Sequence, residues 1–426
     1  MNFTYQNLNN RPVAIDLFSG CGGMSLGLEA AGFDIAASVE IDPIHSLVHH
    51  YNFPYGATIC KDISKLSSQE LLARIKEKGF KTDIDLIAGG PPCQGFSHMG
   101  KRQLDDPRNQ LVFEYLRIIS EIKPKYFIFE NVPGIATGKH QKFLNELIKE
   151  FKKINYSILQ PIEVLNAFLY GAPQKRKRLI LIGYRKNLPK PKYPLPIYGE
   201  DRDLLPLTTV SCAISDLSKI PVFISEDRGI NVTQLDYSKF RKSFNIKPKG
   251  EYSLCHKREL TDKIVWGHLG SQHSQKSIDR FANTTPGKID NVSRFFKLDA
   301  EGLSNTLRAG TASNKGAFTA PRPIHYQEPR CITIREAARL HTFPDWFQFH
   351  HTIWHGFREI GNAVVPFLAK SLGMEIIKCL DIDSSQLKMR KLPLIDNTIL
   401  NYNMGQAAEF WQVPNNVIAK RKRIKV

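Results

Sequence analysis

A thiol, an acid and a pair of guanidiniums stand out in this chain. Cys93 lies in Gly89-Gly90-Pro91-Pro92-Cys93-Gln94-Gly95-Phe96-Ser97, flanked by glycines and stiffened by two prolines. Such a loop presents a thiol with little conformational freedom left to lose, so Cys93 reads as a nucleophile. Cys60 and Cys379 read instead as small buried hydrophobes. Glu130, in Glu130-Asn131-Val132-Pro133, closes an apolar run. A partly buried carboxyl there can act as an acid, and a solvated strand-end cap is the other reading. In Gln174-Lys175-Arg176-Lys177-Arg178 an extended backbone puts Gln174, Arg176 and Arg178 on one face. Two guanidiniums on one face can clamp a phosphate or carboxylate, or simply form a basic edge strand.

A second constellation suits a small ligand. Asp16-Leu17-Phe18-Ser19-Gly20-Cys21-Gly22-Gly23 places glycines after an apolar run, where backbone can approach a ligand closely. Glu40 ends the next apolar run, where an acid can hold ribose hydroxyls, and Asp62 follows the third, within reach of an adenine amino group. The dinucleotide pattern Gly-x-Gly-x-x-Gly fails at Ser25, and no Gly-x-x-x-x-Gly-Lys occurs. A nucleoside cofactor without pyrophosphate fits better than NAD or a nucleoside triphosphate.

These residues need a scaffold that brings them to one edge. Val13 to Phe18, Ile35 to Val39, Ala57 to Cys60, Asp85 to Ala88 and Tyr126 to Phe129 read as short buried strands. Ser25 to Ala31, Ile44 to Tyr51, Ser68 to Lys78 and Leu111 to Ile122 read as intervening helices. That alternation predicts an α/β fold with a doubly wound, mostly parallel sheet. Ligands in such sheets bind at the carboxyl ends of the strands. Prolines 189, 191, 194, 196 and 206 mark a boundary, and 207–330 is polar and weakly periodic, a second, smaller domain with much loop. Thr333 to Leu340 and Pro366 to Lys378 read as helices again.

At 426 residues, with 42% hydrophobic and 23% charged side chains, the chain is long enough for two or three domains and is neither disordered nor fibrous. A formal charge of +18, densest in 186–330 and at the Lys420–Lys425 tail, points to a polyanion, most often nucleic acid. Seven scattered cysteines with no Cys-x-x-Cys pair suggest neither a disulfide framework nor a zinc site, and no metal is expected. No run of 18 apolar residues and no apolar leader stand out, so neither a membrane span nor secretion is expected.

Together these segments resemble the cytosine carbon-5 DNA methyltransferase family. Asp16–Gly23 is similar to its cofactor loop, Gly89–Ser97 to its nucleophile loop, Glu130-Asn131-Val132 to its acidic motif and Gln174-x-Arg176-x-Arg178 to its arginine motif. Arg335–Pro344 and Gly361-Asn362-Ala363-Val364-Val365-Pro366 match its last two motifs. Each piece alone is weak, but six in order are specific, and they span about 12–185 and 330–380.

The resemblance implies a Rossmann-like methyltransferase fold using S-adenosyl-L-methionine. It implies catalysis by Cys93, Glu130, Arg176 and Arg178. It implies cofactor contacts from Phe18, Gly20, Gly22, Gly23, Glu40, Ile41, Asp62, Ile63, Pro91, Leu111, Asn362, Ala363 and Val364. It divides the chain into a catalytic and cofactor-binding part (1–185), a target-recognition domain (186–345), a return segment (346–380) and an extension with a basic tail (381–426). The partner is double-stranded DNA, whose target cytosine is flipped out, with a cognate restriction endonuclease acting on the same site. A monomer in the bacterial cytoplasm, at the nucleoid, is expected. Three alternatives remain at this point. The transfer-RNA branch of the family is disfavoured by Gly95, Ser97 and the Gly134-Ile135-Ala136-Thr137 run. A silent DNA-binding homologue is disfavoured by intact Cys93, Glu130, Arg176 and Arg178, and a nicotinamide dehydrogenase by Ser25.

Overall fold

The computed structural model describes residues 11–92, 110–138, 140–236, 250–258, 264–310, 322–393 and 395–417. Its centre is an eight-stranded sheet: β1 (Val13–Leu17), β2 (Asp34–Glu40), β3 (Ala57–Cys60), β4 (Leu86–Gly89), β5 (Tyr126–Asn131), β6 (Tyr156–Ile158), β7 (Glu163–Asn166) and β8 (Lys177–Arg185). The order is β3-β2-β1-β4-β5-β8-β6, with β7 also paired to β8. Strands β1 to β5 pair in parallel, and β8 runs antiparallel to β5, β6 and β7. The order reverses between β1 and β4, so the loops after these two strands open a crevice where the sheet can bind ligands.

The sequence explains the strands. Val13–Leu17 is buried at every position, and the apolar runs of β4 and β5 are buried too, as parallel strands covered on both faces must be. The first helices are α1 (Gly23–Ala31), α2 (Pro43–Asn52), α3 (Ser68–Glu77), α4 (Gln110–Ile122) and α5 (His140–Lys153). Asp42 caps α2 by accepting from the Ile44 amide, with Pro43 in the first turn. Helix α1 begins at Gly23, two residues before the expected start, and lies fully buried.

Farther along are α6 (Val210–Ile214), α7 (Gln275–Asn283), α8 (Ile334–Leu340), α9 (Ile353–Asn362), α10 (Pro366–Cys379) and α11 (Met404–Trp411). Helix α10 packs along α1, and the crossing is close: a Cβ on Gly27 would sit 2.4 Å from both the Ala369 Cβ and the Pro366 carbonyl. Helix α8 is held by a capping box between Thr333 and Glu336 and is buried in the same core as the sheet. Helix α9 has no counterpart in the sequence reading. Gly356 and Gly361 weaken its pattern, yet Gly356 lets Ile334 pack against it, where a Cβ would meet the Ile334 Cδ1 at 2.8 Å.

One stretch, Ile353–Cys379, is long and apolar enough to cross a membrane by length and composition, although the sequence reading marked none; 78% of its apolar window is buried inside the protein. It comprises α9 and α10, and α10 is the neighbour of α1. Between 186 and 330 lie α6, α7, short strands and turns; Val210, Ile214, Leu269, Leu298 and Leu307 join the main core, and two small apolar clusters stand apart from it. One holds Leu217, Ile230, Leu235 and Val265, the other Phe281, Ile324 and Cys331. The segment after 381 returns to the sheet side: the Trp411 indole N–H donates to the Pro43 carbonyl, and Leu400 and Ala407 join the main core.

Candidate active site

The loop after β1 turns through an unusual backbone. Phe18 has φ 60° and Gly20 φ 54°, and Gly22 caps α1 at φ 103°. A non-glycine residue in that region is uncommon and costs energy, so Phe18 is held there by its surroundings. The turn is pinned by Glu40, whose Oε2 accepts from the Gly20 amide at 2.9 Å while Oε1 accepts from the Asp42 amide at 2.8 Å. Its remaining lone pairs are available to a ligand. Beneath the loop, Asp16 Oδ2 accepts from the Ser25 amide and hydroxyl at 3.0 and 2.6 Å. Ser25 Oγ meets His49 Nε2 at 2.9 Å, and His49 Nδ1 meets Ser38 Oγ at 3.0 Å. Burial, against the pull of the Ser25 bonds, raises the Asp16 carboxyl to about 7, and burial lowers the His49 imidazole to about 3.

Around this loop lies a cavity of about 480 Å³, within the range of small-molecule sites. Ten of the expected cofactor residues line it: Phe18, Gly20, Glu40, Ile41, Asp62, Ile63, Leu111, Asn362, Ala363 and Val364. Gly22, Gly23 and Pro91 do not; they shape the wall from behind. A Cβ on Gly22 would lie 2.6 Å from the Phe53 ring, and one on Gly23 2.4 Å from the Val364 carbonyl. Pro91 gives its carbonyl to the Asn131 amide group at 3.0 Å. That bond ties the end of β5 to the chain entering the thiol loop. Cys93 itself lies outside the described residues, as do Gln94 to Gly100.

Glu130 lines the same cavity from the end of β5. Its Oε1 receives Arg178 Nε at 2.6 Å, and a Cβ on Gly90 would lie 2.8 Å from its Oε2. The two side chains are only 11% and 13% exposed. Glu130 is therefore a paired acid at a ligand wall, not a solvated cap. Arg176 is placed differently from the expectation that it contacts the reacting groups. Side chains alternate as an extended backbone requires, but Gln174 and Arg176 point into the protein. The Arg176 guanidinium donates to the carbonyls of Leu307 at 2.8 Å, Gly361 at 3.0 Å and Ala363 at 2.9 Å, and it does not line the cavity. Burial, with Arg178 nearby, makes it far more acidic than an ordinary guanidinium. Its hydrogen bonds join the start of β8, the 304–310 segment and the turn between α9 and α10. Gln174 does similar work, donating to the Leu340 carbonyl and accepting from the Leu307 amide.

The sequence reading missed several lining residues. Ser19, Met24, Val39, Asp42, His45, Lys61, Gly90, Pro92 and Arg358 contribute, as do Ala309 and Gly310 from within the 186–345 stretch. Arg358 stands four residues before Asn362 on α9, so helical spacing could have found it. Nothing local marks His45 or Ala309. Three buried lining atoms, Ser19 Oγ, Asp42 Oδ2 and His45 Nε2, have no hydrogen-bond partner within the described protein. Buried polar atoms ordinarily find partners, so this wall is shaped for a polar ligand. Ribose-type hydroxyl acceptors, a glycine turn and several carboxylates fit a cationic adenosine cofactor.

Comparison with known proteins converges on one family. The model of the C-5 cytosine-specific DNA methylase family matches residues 13–378. The type II methyltransferase M.XorII of Xanthomonas oryzae pv. oryzae is 47% identical over 415 residues, covering 97% of this chain and 95% of that protein. M.DdeI of Desulfomicrobium norvegicum, also a type II methyltransferase, is 31% identical, covering 85% of this chain and 88% of its own. A solved structure of a prophage-encoded E. coli protein assigned as a DNA modification methyltransferase superposes with TM-score 0.71 at 35% identity, covering 87% of this chain and all of that one. With the cofactor turn, the Glu130–Arg178 pair and the matching motifs on one sheet edge, the chain belongs to the C-5 cytosine-specific DNA methylase family and is a DNA methyltransferase of the type II restriction–modification kind.

Proposed function

We propose that the protein transfers a methyl group from S-adenosylmethionine to carbon 5 of a cytosine flipped out of a short duplex site, through a covalent bond to Cys93. The observation that carries this reading is the shared wall. Glu130 with Arg178 lines the same cavity as Phe18, Glu40, Asp62 and Asn362, and the Cys93 loop leaves that wall at Pro92. Glu40 would take the ribose hydroxyls, Asp62 and Ile63 the adenine edge, and Phe18, Leu111 and Asn362 the remaining faces. When bound, S-adenosylmethionine supplies a methyl group activated on a sulfonium.

Cytosine hides its ring in the stack, so it must leave the duplex to be reached. Carbon 5 is a poor nucleophile until carbon 6 is attacked. The Cys93 thiolate forms a bond to carbon 6 while Glu130 gives a proton or a strong hydrogen bond to ring nitrogen 3. Electron density then rises at carbon 5, which takes the methyl. Loss of the carbon 5 proton to solvent, return of the nitrogen 3 proton to Glu130 and cleavage of the sulfur–carbon bond restore the ring and the thiolate, with the thioether S-adenosylhomocysteine as the leaving group. This is nucleophilic catalysis that divides one hard step into easier ones. Arg178 keeps Glu130 oriented and can reach the base carbonyl. Excess positive charge in 186–330 suits phosphate contacts, and we assign target reading to that part of a monomer, with a nuclease of the same site specificity as the functional counterpart.

The test is methyl transfer from labelled S-adenosylmethionine to mixed duplex DNA, beside Cys93→Ser. Label on carbon 5 of cytosine that vanishes in the variant is the expected result. An equal rate in Cys93→Ser would sink the covalent step. Label in transfer RNA and none in DNA would move the substrate.

A further inference from the structure

Among the described residues the cavity carries more acid than base. Asp16, Glu40, Asp42, Asp62 and Glu130 line it against Lys61, His45 and Arg358. S-adenosylmethionine has a sulfonium and an ammonium, which suit an acidic wall, and one carboxylate, which needs a cation. The available cations can be sorted by what they already hold. Lys61 Nζ is taken by both oxygens of Glu70, at 2.9 and 2.7 Å. The buried His45 ring lies 3.8 Å from Asp42 Oδ2 and contributes a charge only if protonated.

Arg358 is different. It projects from α9 one turn before Asn362, so both occupy one face of the helix, and its side chain is 23% exposed. Its guanidinium makes no hydrogen bond to the described protein. Its contacts are Asp42 Oδ2 at 3.6 Å and the Trp354 ring at 5.8 Å. Asp42 is fixed in turn, accepting from the Ile44 amide at 3.1 Å and donating its own amide to Glu40 at 2.8 Å. A continuous polar rail therefore runs from Gly20 through Glu40 and Asp42 to Arg358, and it ends in an uncommitted donor fork.

We propose that Arg358 receives the α-carboxylate of the cofactor, holding Asp42 on one side and the ligand on the other. A planar guanidinium can bridge two carboxylates in this way, where an ammonium gives only a point charge. The consequence is selectivity: the site distinguishes the complete cofactor from nucleosides that lack the carboxylate. This inference rests on the reading that the cavity takes S-adenosylmethionine.

The experiment is titration calorimetry on the full chain with S-adenosylhomocysteine and with its decarboxylated analogue, which keeps the adenosine, thioether and ammonium. Arg358→Gln is expected to weaken S-adenosylhomocysteine about ten- to hundred-fold, the loss of a charge-assisted hydrogen bond, and to leave the decarboxylated ligand unchanged. Arg358→Lys is expected to recover part of the loss for the first ligand only. Equal weakening of both ligands would overturn the proposal, because Arg358 would then act by holding Asp42 and the wall. No change for either ligand would overturn it too. Wild-type protein that binds neither ligand would instead overturn the cofactor reading and this proposal with it.

Discussion

The sheet and the 186–330 region are held together by different means. The sheet side is one large apolar core in which Ile15, Ile87, Ile128 and Leu181, one from each of four strands, are wholly buried. The other region sends Val210, Ile214, Leu269, Leu298 and Leu307 into that core, and away from it has two clusters of four and three buried residues beside polar knots. Lys297, only 5% exposed, donates to the carbonyls of Phe281 and Ala282 at the end of α7. Asp290 accepts from the Ser293 amide and hydroxyl at 2.7 and 2.6 Å. Dense apolar packing tolerates little change in shape, which suits a site where reacting groups must stay aligned. Polar knots are local and can be rearranged one at a time, which suits the target-reading role proposed for this part.

The sharpest way to break this contrast is to separate chemistry from binding. Glu130→Gln should lower the methyl-transfer rate by roughly 10²–10⁴ while duplex DNA binding stays intact. A matching loss of DNA affinity in a gel-shift titration would show that the two regions do not work independently. Next in size is stability. Ile128→Ala, at the centre of the sheet, should cost about 2–5 kcal/mol in urea denaturation. Val265→Ala, in the four-residue cluster, should cost about 1–2 kcal/mol. Equal costs would mean that the small cluster is continuous with the large core. The smallest expected effect is a change of slope. Burial raises Asp16 from 3.8 to about 7, so the proton it keeps favours the folded state at low pH, and that contribution is lost as pH rises through about 7. Asp16→Asn should therefore flatten the fall in the urea midpoint between pH 5 and 7. An unchanged slope would remove Asp16 as its source.

The same contrast governs what the sequence made legible. Strands such as Val13–Leu17 and Tyr126–Phe129 are mostly apolar and short, with helical patterns between such runs, so their place is visible in one dimension. The candidate residues at strand ends, Glu40, Asp62 and Glu130, follow from that placement, whereas Phe18 comes from the family resemblance. Helix α9 was not visible, because its glycines serve contacts with Ile334 and the Arg308–Ala309 backbone, partners distant in sequence. Arg176 makes a related point. Alternation set its face correctly, but only the return of 307 and 361–363 shows that this face is interior. His45 and Asp42 reach the cavity through the cap of α2, whose angle local pattern does not specify.

The close crossing of α1 and α10 has a consequence for how the protein is made. Helix α1 ends at residue 31 and its partner begins at residue 366. At typical translation speeds of about 5–20 residues per second, roughly 15–70 s separate the emergence of the two. During that interval the apolar flank of α1 around Gly27, and the nearby cofactor turn, have no native cover. Docking of α10 therefore completes this side of the core late in synthesis, after most of the chain has been translated.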